Sequence, residues 1–265
     1  MRTLTFMNHA GGAAKTTTAL NIGYTMSASG YRVLLIDADP QSNLTRWLGL
    51  NVPDGPEAKL ETLYAAVLGP ADQLSLPAPV QAHGMDVVRS CLDLAEVEPL
   101  LPGQVMGQMR LRAAVRKLAD RYDFVLIDPP PSLGQLSTLA VLAADDLVVP
   151  VPAGNKGLEG LAGVTRLVAT FRQVAVPDLR IALMVPTRVN TTVLSRDSVE
   201  ALRAAKIAPV STPLTERPSL YPNSQLHGMP IAVYDPKSPA VAEVRSVARE
   251  LLEALGEVPR AEAQG

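Results

Sequence analysis

Cysteine is almost absent from this chain: Cys91 is the one thiol in 265 residues. That excludes an intrachain disulfide and any iron–sulfur or zinc site built from this chain's thiolates alone. Aromatic residues make up 4%, too few for a surface that holds nucleic acid by stacking bases. Neither sign of charge dominates, with 24 Lys and Arg against 26 Asp and Glu and a formal net charge of −2. No field from the whole chain therefore draws it to DNA or anionic lipid, and any nucleic-acid contact has to come from a local patch. No window reaches the roughly 20 apolar residues of a membrane span, and the opening MRTLTFMNHAGG holds only a short apolar stretch. A cytoplasmic protein is expected. Apolar residues, by contrast, are plentiful at 47%, enough over this length to bury the core of one α/β domain.

Short apolar runs alternate with longer segments of helical period, the pattern of βαβ units in a mostly parallel twisted sheet with helices on both faces. Strands are expected at Leu4–Asn8, Val33–Asp37, Met85–Arg89, Phe124–Asp128, Asp146–Val151 and Arg180–Pro186. Helices are expected at Lys15–Ser29, Leu60–Leu68, Gln104–Tyr122, Gly134–Ala143, Leu158–Val174, Val193–Ala205 and Ala240–Leu255, where apolar positions recur every three or four residues. The proline-bearing stretch Gly69–Gly84 reads as a surface connection. A single domain over residues 1–257 with a polar tail at 258–265 follows.

The first strand runs into His9-Ala10-Gly11-Gly12-Ala13-Ala14-Lys15-Thr16-Thr17 and then a helix, the order of a phosphate cradle. Backbone N–H groups at such a helix start point at phosphate oxygens, Lys15 adds positive charge at the β/γ-phosphates, and the Thr16 hydroxyl suits magnesium. A glycine turn capped by threonines is the plainer alternative. Two more strands end in acid, at Val33-Leu34-Leu35-Ile36-Asp37-Ala38-Asp39 and Phe124-Val125-Leu126-Ile127-Asp128. Carboxylates there sit at the ligand-binding edge of a parallel sheet and call for a cation or water network. A strand that merely ends in Asp to start a turn explains one such site better than three.

With these residues in place, Asn8 through Thr18, Asp37-Ala38-Asp39-Pro40-Gln41-Ser42-Asn43 and Asp128 through Gly134 resemble the deviant Walker A, Walker A′ and Walker B motifs of ParA partition ATPases. Ser90-Cys91-Leu92-Asp93, Gly157-Leu158-Glu159-Gly160-Leu161 and Met229-Pro230-Ile231-Ala232-Val233-Tyr234-Asp235-Pro236 are similar too. The resemblance implies an ATP- and Mg2+-dependent homodimer that binds double-stranded DNA nonspecifically on the nucleoid. It also implies release after hydrolysis, stimulated by a ParB-like centromere-binding protein. In that scheme Gly11, Gly12, Ala13, Ala14, Lys15, Thr16 and Thr17 hold the phosphates, and Pro213 lies in the adenine-side loop. Asp39 orients the attacking water, while Thr16, Asp39 and Asp128 serve magnesium. Arg188, Arg196, Arg217 and Arg245 are the candidate DNA contacts, against the alternative of solvated helix faces interspersed with glutamate.

The chain departs from that family at two positions. Its signature lysine, which reaches across the dimer to the partner's phosphates, is here Ala10, and its glycine before Lys15 is Ala14. A charge of that kind is worth on the order of 10³–10⁵ in rate, so slow hydrolysis or none is expected unless His9, Lys156 or an arginine replaces it. A degenerate nucleotide-dependent binding switch without turnover is the alternative function. Trp47 reads as core or dimer surface, Cys91 as a small buried hydrophobe, and His83 and His227 as surface residues.

Overall fold

The computed structural model describes residues 1–8, 10–70 and 74–258. His9 and nearly all of the polar tail, residues 259–265, lie outside the described residues. Strand β1 (Arg2–Phe6) leads into helix α1 (Lys15–Ala28), then β2 (Val33–Asp37), α2 (Asn43–Trp47), α3 (Pro56–Glu61) and α4 (Leu63–Leu68). Next come β3 (Val80–Ala82), β4 (Met85–Val88), α5 (Val97–Leu100), α6 (Arg110–Arg116), β5 (Phe124–Asp128) and α7 (Gln135–Ala143). The chain closes with β6 (Asp146–Pro152), α8 (Asn155–Val174), β7 (Arg180–Thr187), α9 (Val193–Ala204), α10 (Leu220–Leu226), α11 (Ile231–Tyr234) and α12 (Pro239–Ala254).

The strands form one seven-stranded sheet in the order β3-β4-β2-β5-β1-β6-β7. Every neighbouring pair is parallel except β3 with β4. Alternate residues of each central strand serve opposite faces. Leu35, Phe124 and Leu126 pack with Leu20, Ile22 and Met26 of α1 and Val244, Val247 and Leu251 of α12. Leu34, Ile36, Val125 and Ile127 pack with α4, α6 and α7 through Leu63, Val67, Leu111, Val115, Leu136 and Leu139. A third cluster joins Leu147, Val149 and Val151 of β6 to Leu161, Val164 and Val168 of α8. Covering both faces is what allows strands such as VLLID to be apolar almost throughout.

The expected strands all appear, Val33–Asp37 and Phe124–Asp128 with the expected bounds and the others with ends shifted by at most two residues. Two expected helices do not survive intact. Leu60–Leu68 is interrupted at Thr62, which is extended (φ −125°, ψ 176°). The break frees Leu63 N–H to donate to Arg89 O (2.9 Å), and Thr62 Oγ1 donates to Ala58 O (2.7 Å). A tertiary backbone bond here outweighs local helical preference. Gln104–Tyr122 contracts to Arg110–Arg116 because Met106 turns left-handed (φ 53°) before it and tighter three-residue turns follow Val115. The connection at residues 69–84 is not wholly irregular either. His83 and Gly84, both with positive φ, form the two-residue turn of a short β3–β4 hairpin.

Candidate functional site

The carboxyl ends of β1, β2 and β5 meet at one edge of the sheet, because β5 lies between β1 and β2. After β1 the loop is anchored by buried Asn8, whose amide donates to Pro150 O (2.7 Å) and whose Oδ1 accepts from Ala10 N–H (2.9 Å). Helix α8 passes this close to Asn8 because residue 160 is glycine: a Cβ there would stand 2.4 Å from Asn8 Oδ1. This gives a packing reason for the GLEG segment. Gly12 follows at φ 73° and Ala14 at φ 64°, ψ 29°. Helix α1 then starts at Lys15 with no side-chain cap, leaving its first N–H groups for a ligand at the positive end of the dipole.

Ala14, standing where the resembled family has glycine, thus occupies a left-handed conformation, at a cost of roughly 1–2 kcal/mol for an L-residue. Ala14→Gly is expected to stabilise the fold by ~0.5–1 kcal/mol after allowing for glycine's greater unfolded-state entropy. A thermal melt of the two proteins checks this. An unchanged or lowered midpoint contradicts it.

Three carboxylates crowd behind the loop. Asp37 and Asp128 are register partners across β2 and β5 and are almost wholly inaccessible, and Asp39 is buried at the pocket floor. Desolvation pushes Asp128 up to about 8; the neighbouring Asp37 charge adds to this, while the Thr16 hydroxyl bond and Lys15 oppose it. Burial likewise raises Asp37 to about 6, against hydrogen bonds from Thr45 N–H (2.8 Å) and Thr45 Oγ1 (2.7 Å). Lys15 is lowered by its own burial, an effect opposed by Asp128 and Asp39. Thr16 Oγ1 donates to Asp128 Oδ2 at 2.6 Å, and Asp128 Oδ1 is buried without a hydrogen-bond partner. A carboxylate oxygen left in this way, next to a threonine hydroxyl and a buried ammonium, suits a hydrated divalent cation. Asp39 Oδ1 accepts from Gln41 N–H (2.9 Å), and the Asp39 carbonyl accepts from Ser90 Oγ (2.7 Å).

In front of these groups lies a cavity of about 530 Å³ lined by Gly12 through Thr18, Asp39, Asn43, Trp47, Thr187, Arg188, Leu214 through Pro218, Tyr221 and Gln225. Of the residues expected at the nucleotide, Gly12, Ala13, Ala14, Lys15, Thr16, Thr17 and Asp39 face the cavity. Asp128 stands behind Thr16, Gly11 is exposed in the loop outside the lining, and Pro213 immediately precedes the wall without forming it. The four candidate DNA arginines are divided. Arg188 and Arg217 line the cavity mouth, with Arg217 paired to Glu243 (2.7 Å), whereas Arg196 and Arg245 are exposed on α9 and α12. Lys156 is exposed at the start of α8 and outside the lining.

Trp47 is core, its Nε1 donating to Met229 O (3.1 Å), and it also backs one side of the cavity. The Met229–Ile231 segment also reaches α1 through Ile231 N–H to Asn21 Oδ1 (2.8 Å). Cys91 is buried beside Thr62. His83 and His227 are exposed and bond to the backbone carbonyls of Gly228 and Asn223. Sequence reasoning assigned no role to Asp37, Asn43, Tyr221 or Gln225. Asp37 was legible as a buried strand-end acid and Asn43 lies in the same short motif as Asp39, whereas Tyr221 and Gln225 reach the cavity only through long-range packing.

A family model described as "AAA domain" matches residues 1–181. The chain is 37% identical over 260 residues to a Thermus thermophilus protein named "Probable plasmid-partitioning protein ParA", covering 95% of this chain and 78% of that one. It is 34% identical over 264 residues to the chromosome partitioning protein ParA of Caulobacter vibrioides, covering 95% and 94%. Among solved structures, cobyrinic acid a,c-diamide synthase from Mycobacterium smegmatis with bound ADP and magnesium superposes at a TM-score of 0.81, with 28% identity over all of both chains. The fold, the phosphate-loop geometry and the two ParA relatives agree, and the chain belongs to the ParA-type family of P-loop partition ATPases.

Proposed function

We propose that this protein binds ATP and Mg2+ in the cavity lined by Gly12–Thr17, dimerises around the nucleotide and holds DNA without sequence preference to segregate a plasmid or chromosome. The observation that carries the reading is the convergence of Lys15, Thr16, Asp39 and Asp128 at one uncapped helix start. Further support comes from ParA relatives named for plasmid and chromosome partitioning. A ParB-like protein is the expected regulatory partner. Among the described residues no helix is long and apolar enough to cross a membrane.

The chemistry follows from positioning and charge. The N–H groups at the start of α1 and the Lys15 ammonium bind the phosphates, and Thr16 and Asp128 would hold magnesium, with Asp39 close by. Bound there, magnesium would supply charge neutralisation of the phosphates. Asp39 orients a water whose oxygen attacks the γ-phosphorus as the bond to the β–γ bridging oxygen breaks, leaving ADP and phosphate. The water's protons pass to Asp39, phosphate and solvent. Because position 10 is alanine, no lysine there reaches a partner's phosphates, and turnover is slow. That same alanine favours a second reading, a nucleotide-gated binder with negligible hydrolysis.

Co-sedimentation with duplex DNA tests the switch. Retention with ATP and Mg2+ is expected to exceed retention with ADP by at least about tenfold and to fall as salt rises. Removing exposed Arg196 and Arg245 together is expected to weaken it. Equal retention with and without nucleotide would sink the DNA switch.

A further inference from the structure

The cavity contains a cation that the motif reading left elsewhere. Arg188 directly follows β7, at a left-handed backbone conformation (φ 53°) that an arginine adopts only at a cost. Its predecessor Thr187 is buried, and Thr187 Oγ1 donates to Ala13 O (3.3 Å) across to the phosphate loop. Val189 N–H donates to Leu214 O (3.1 Å), which fixes the other side of the turn. The strained residue is therefore held between the loop and the far cavity wall. The consequence is visible at Gly12: a Cβ built there would lie 3.3 Å from Arg188 Nη2 and 3.4 Å from Nη1. The guanidinium rests over the glycine of the phosphate loop, where no side chain stands between them. Among the described residues no carboxylate or carbonyl is hydrogen-bonded to it, although Arg217 on the same rim is neutralised by Glu243.

We infer that Arg188 supplies from within its own subunit the positive charge that Ala10 lacks, binding the terminal phosphate of the nucleotide across Gly12. A guanidinium presents paired N–H donors that match phosphate oxygens. Backbone strain maintained at a cavity is commonly kept for such positioning. Arg188 is thereby assigned to the nucleotide, not to DNA. The inference rests on the ATP-binding reading above and specifies how that site recognises the γ-phosphate.

The test is the discrimination between ATP and ADP, measured by calorimetric titration with Mg2+ and without DNA, for wild type, Arg188→Gly and Arg188→Lys. Glycine suits the positive φ, so its variant removes the guanidinium without adding strain. Wild-type-like melting curves confirm its folding, and Arg188→Lys keeps a charge should the glycine variant unfold. Arg188→Gly is expected to weaken ATP binding by roughly 10- to 100-fold, the range of a charged hydrogen bond, while ADP affinity stays within about twofold. Arg188→Lys is expected to fall between them, because a point charge lacks the bidentate fork. Unchanged ATP and ADP affinities in a folded variant overturn the inference while leaving the ATPase reading intact. Failure of wild type to bind ATP at all overturns both. Equal weakening of ATP and ADP also overturns it, because it marks a general distortion of the loop.

Discussion

Lys15→Ala lowers ATP affinity by roughly 100-fold, the upper range for one charged hydrogen bond in a buried setting, and removes measurable turnover. Lys15 is buried at the base of the loop, and its ammonium is held there by Asp128 and Asp39 despite the cost of desolvation. Deleting it strips the β/γ-phosphates of their nearest fixed charge. It also leaves Asp128 and Asp39 without the cation that offsets them, so the site turns less favourable to anions when a phosphate enters. A titration with a fluorescent ATP analogue, with phosphate release in parallel, measures both. Affinity within about threefold of wild type would mean that the nucleotide does not lie along this loop.

Asp128→Asn separates metal binding from stability. The folded value of Asp128 is about 8 against an ordinary 3.8. Between these values the folded chain keeps a proton that the unfolded chain has lost. The stabilisation is fully present below about pH 4 and is lost as pH rises through about 8. Asp37, raised to about 6, adds a fall that is complete at lower pH. The metal-free protein is therefore expected to melt several degrees lower at about pH 8 than at about pH 5. The amide introduced by Asp128→Asn still accepts the Thr16 hydroxyl but cannot ionise, so this variant is expected to flatten the profile and raise the midpoint at the alkaline end. It also abolishes the dependence of ATP binding on Mg2+. In the wild type, ATP binding with Mg2+ is expected to be accompanied by loss of the Asp128 proton, and so to tighten between about pH 6 and 8 and to release protons. A melting temperature indifferent to pH across that range, with Mg2+ dependence intact in the variant, would refute this account.

These predictions depend on residues whose legibility in the sequence differed. The acids ending Val33–Asp37 and Phe124–Asp128 were readable because an apolar strand that stops in aspartate is a local pattern. Their pairing in register, and hence their shared proton affinity, follows from β5 inserting between β1 and β2, which no local pattern specifies. That Ala14 replaces a glycine was readable from its place before Lys15, but its left-handed φ of 64° is known only from the fold. The helix break at Thr62 and the shortening of the Gln104–Tyr122 segment went unread because the bonds that cause them come from Arg89 and from turns whose preference is not helical periodicity.

Local order along the chain was enough to determine the alternating α/β architecture, the phosphate loop and the buried acids, since hydrophobic period and turn chemistry act over a few residues. Tertiary structure alone decided which distant side chains share the cavity. Arg188 is 176 positions from Gly12 in the chain by their numbers (188 − 12), yet its guanidinium lies against that glycine. Such contacts come from the strand order and from turns between packed elements, so residues that look like surface arginines in sequence come to line the cavity when the sheet closes around them.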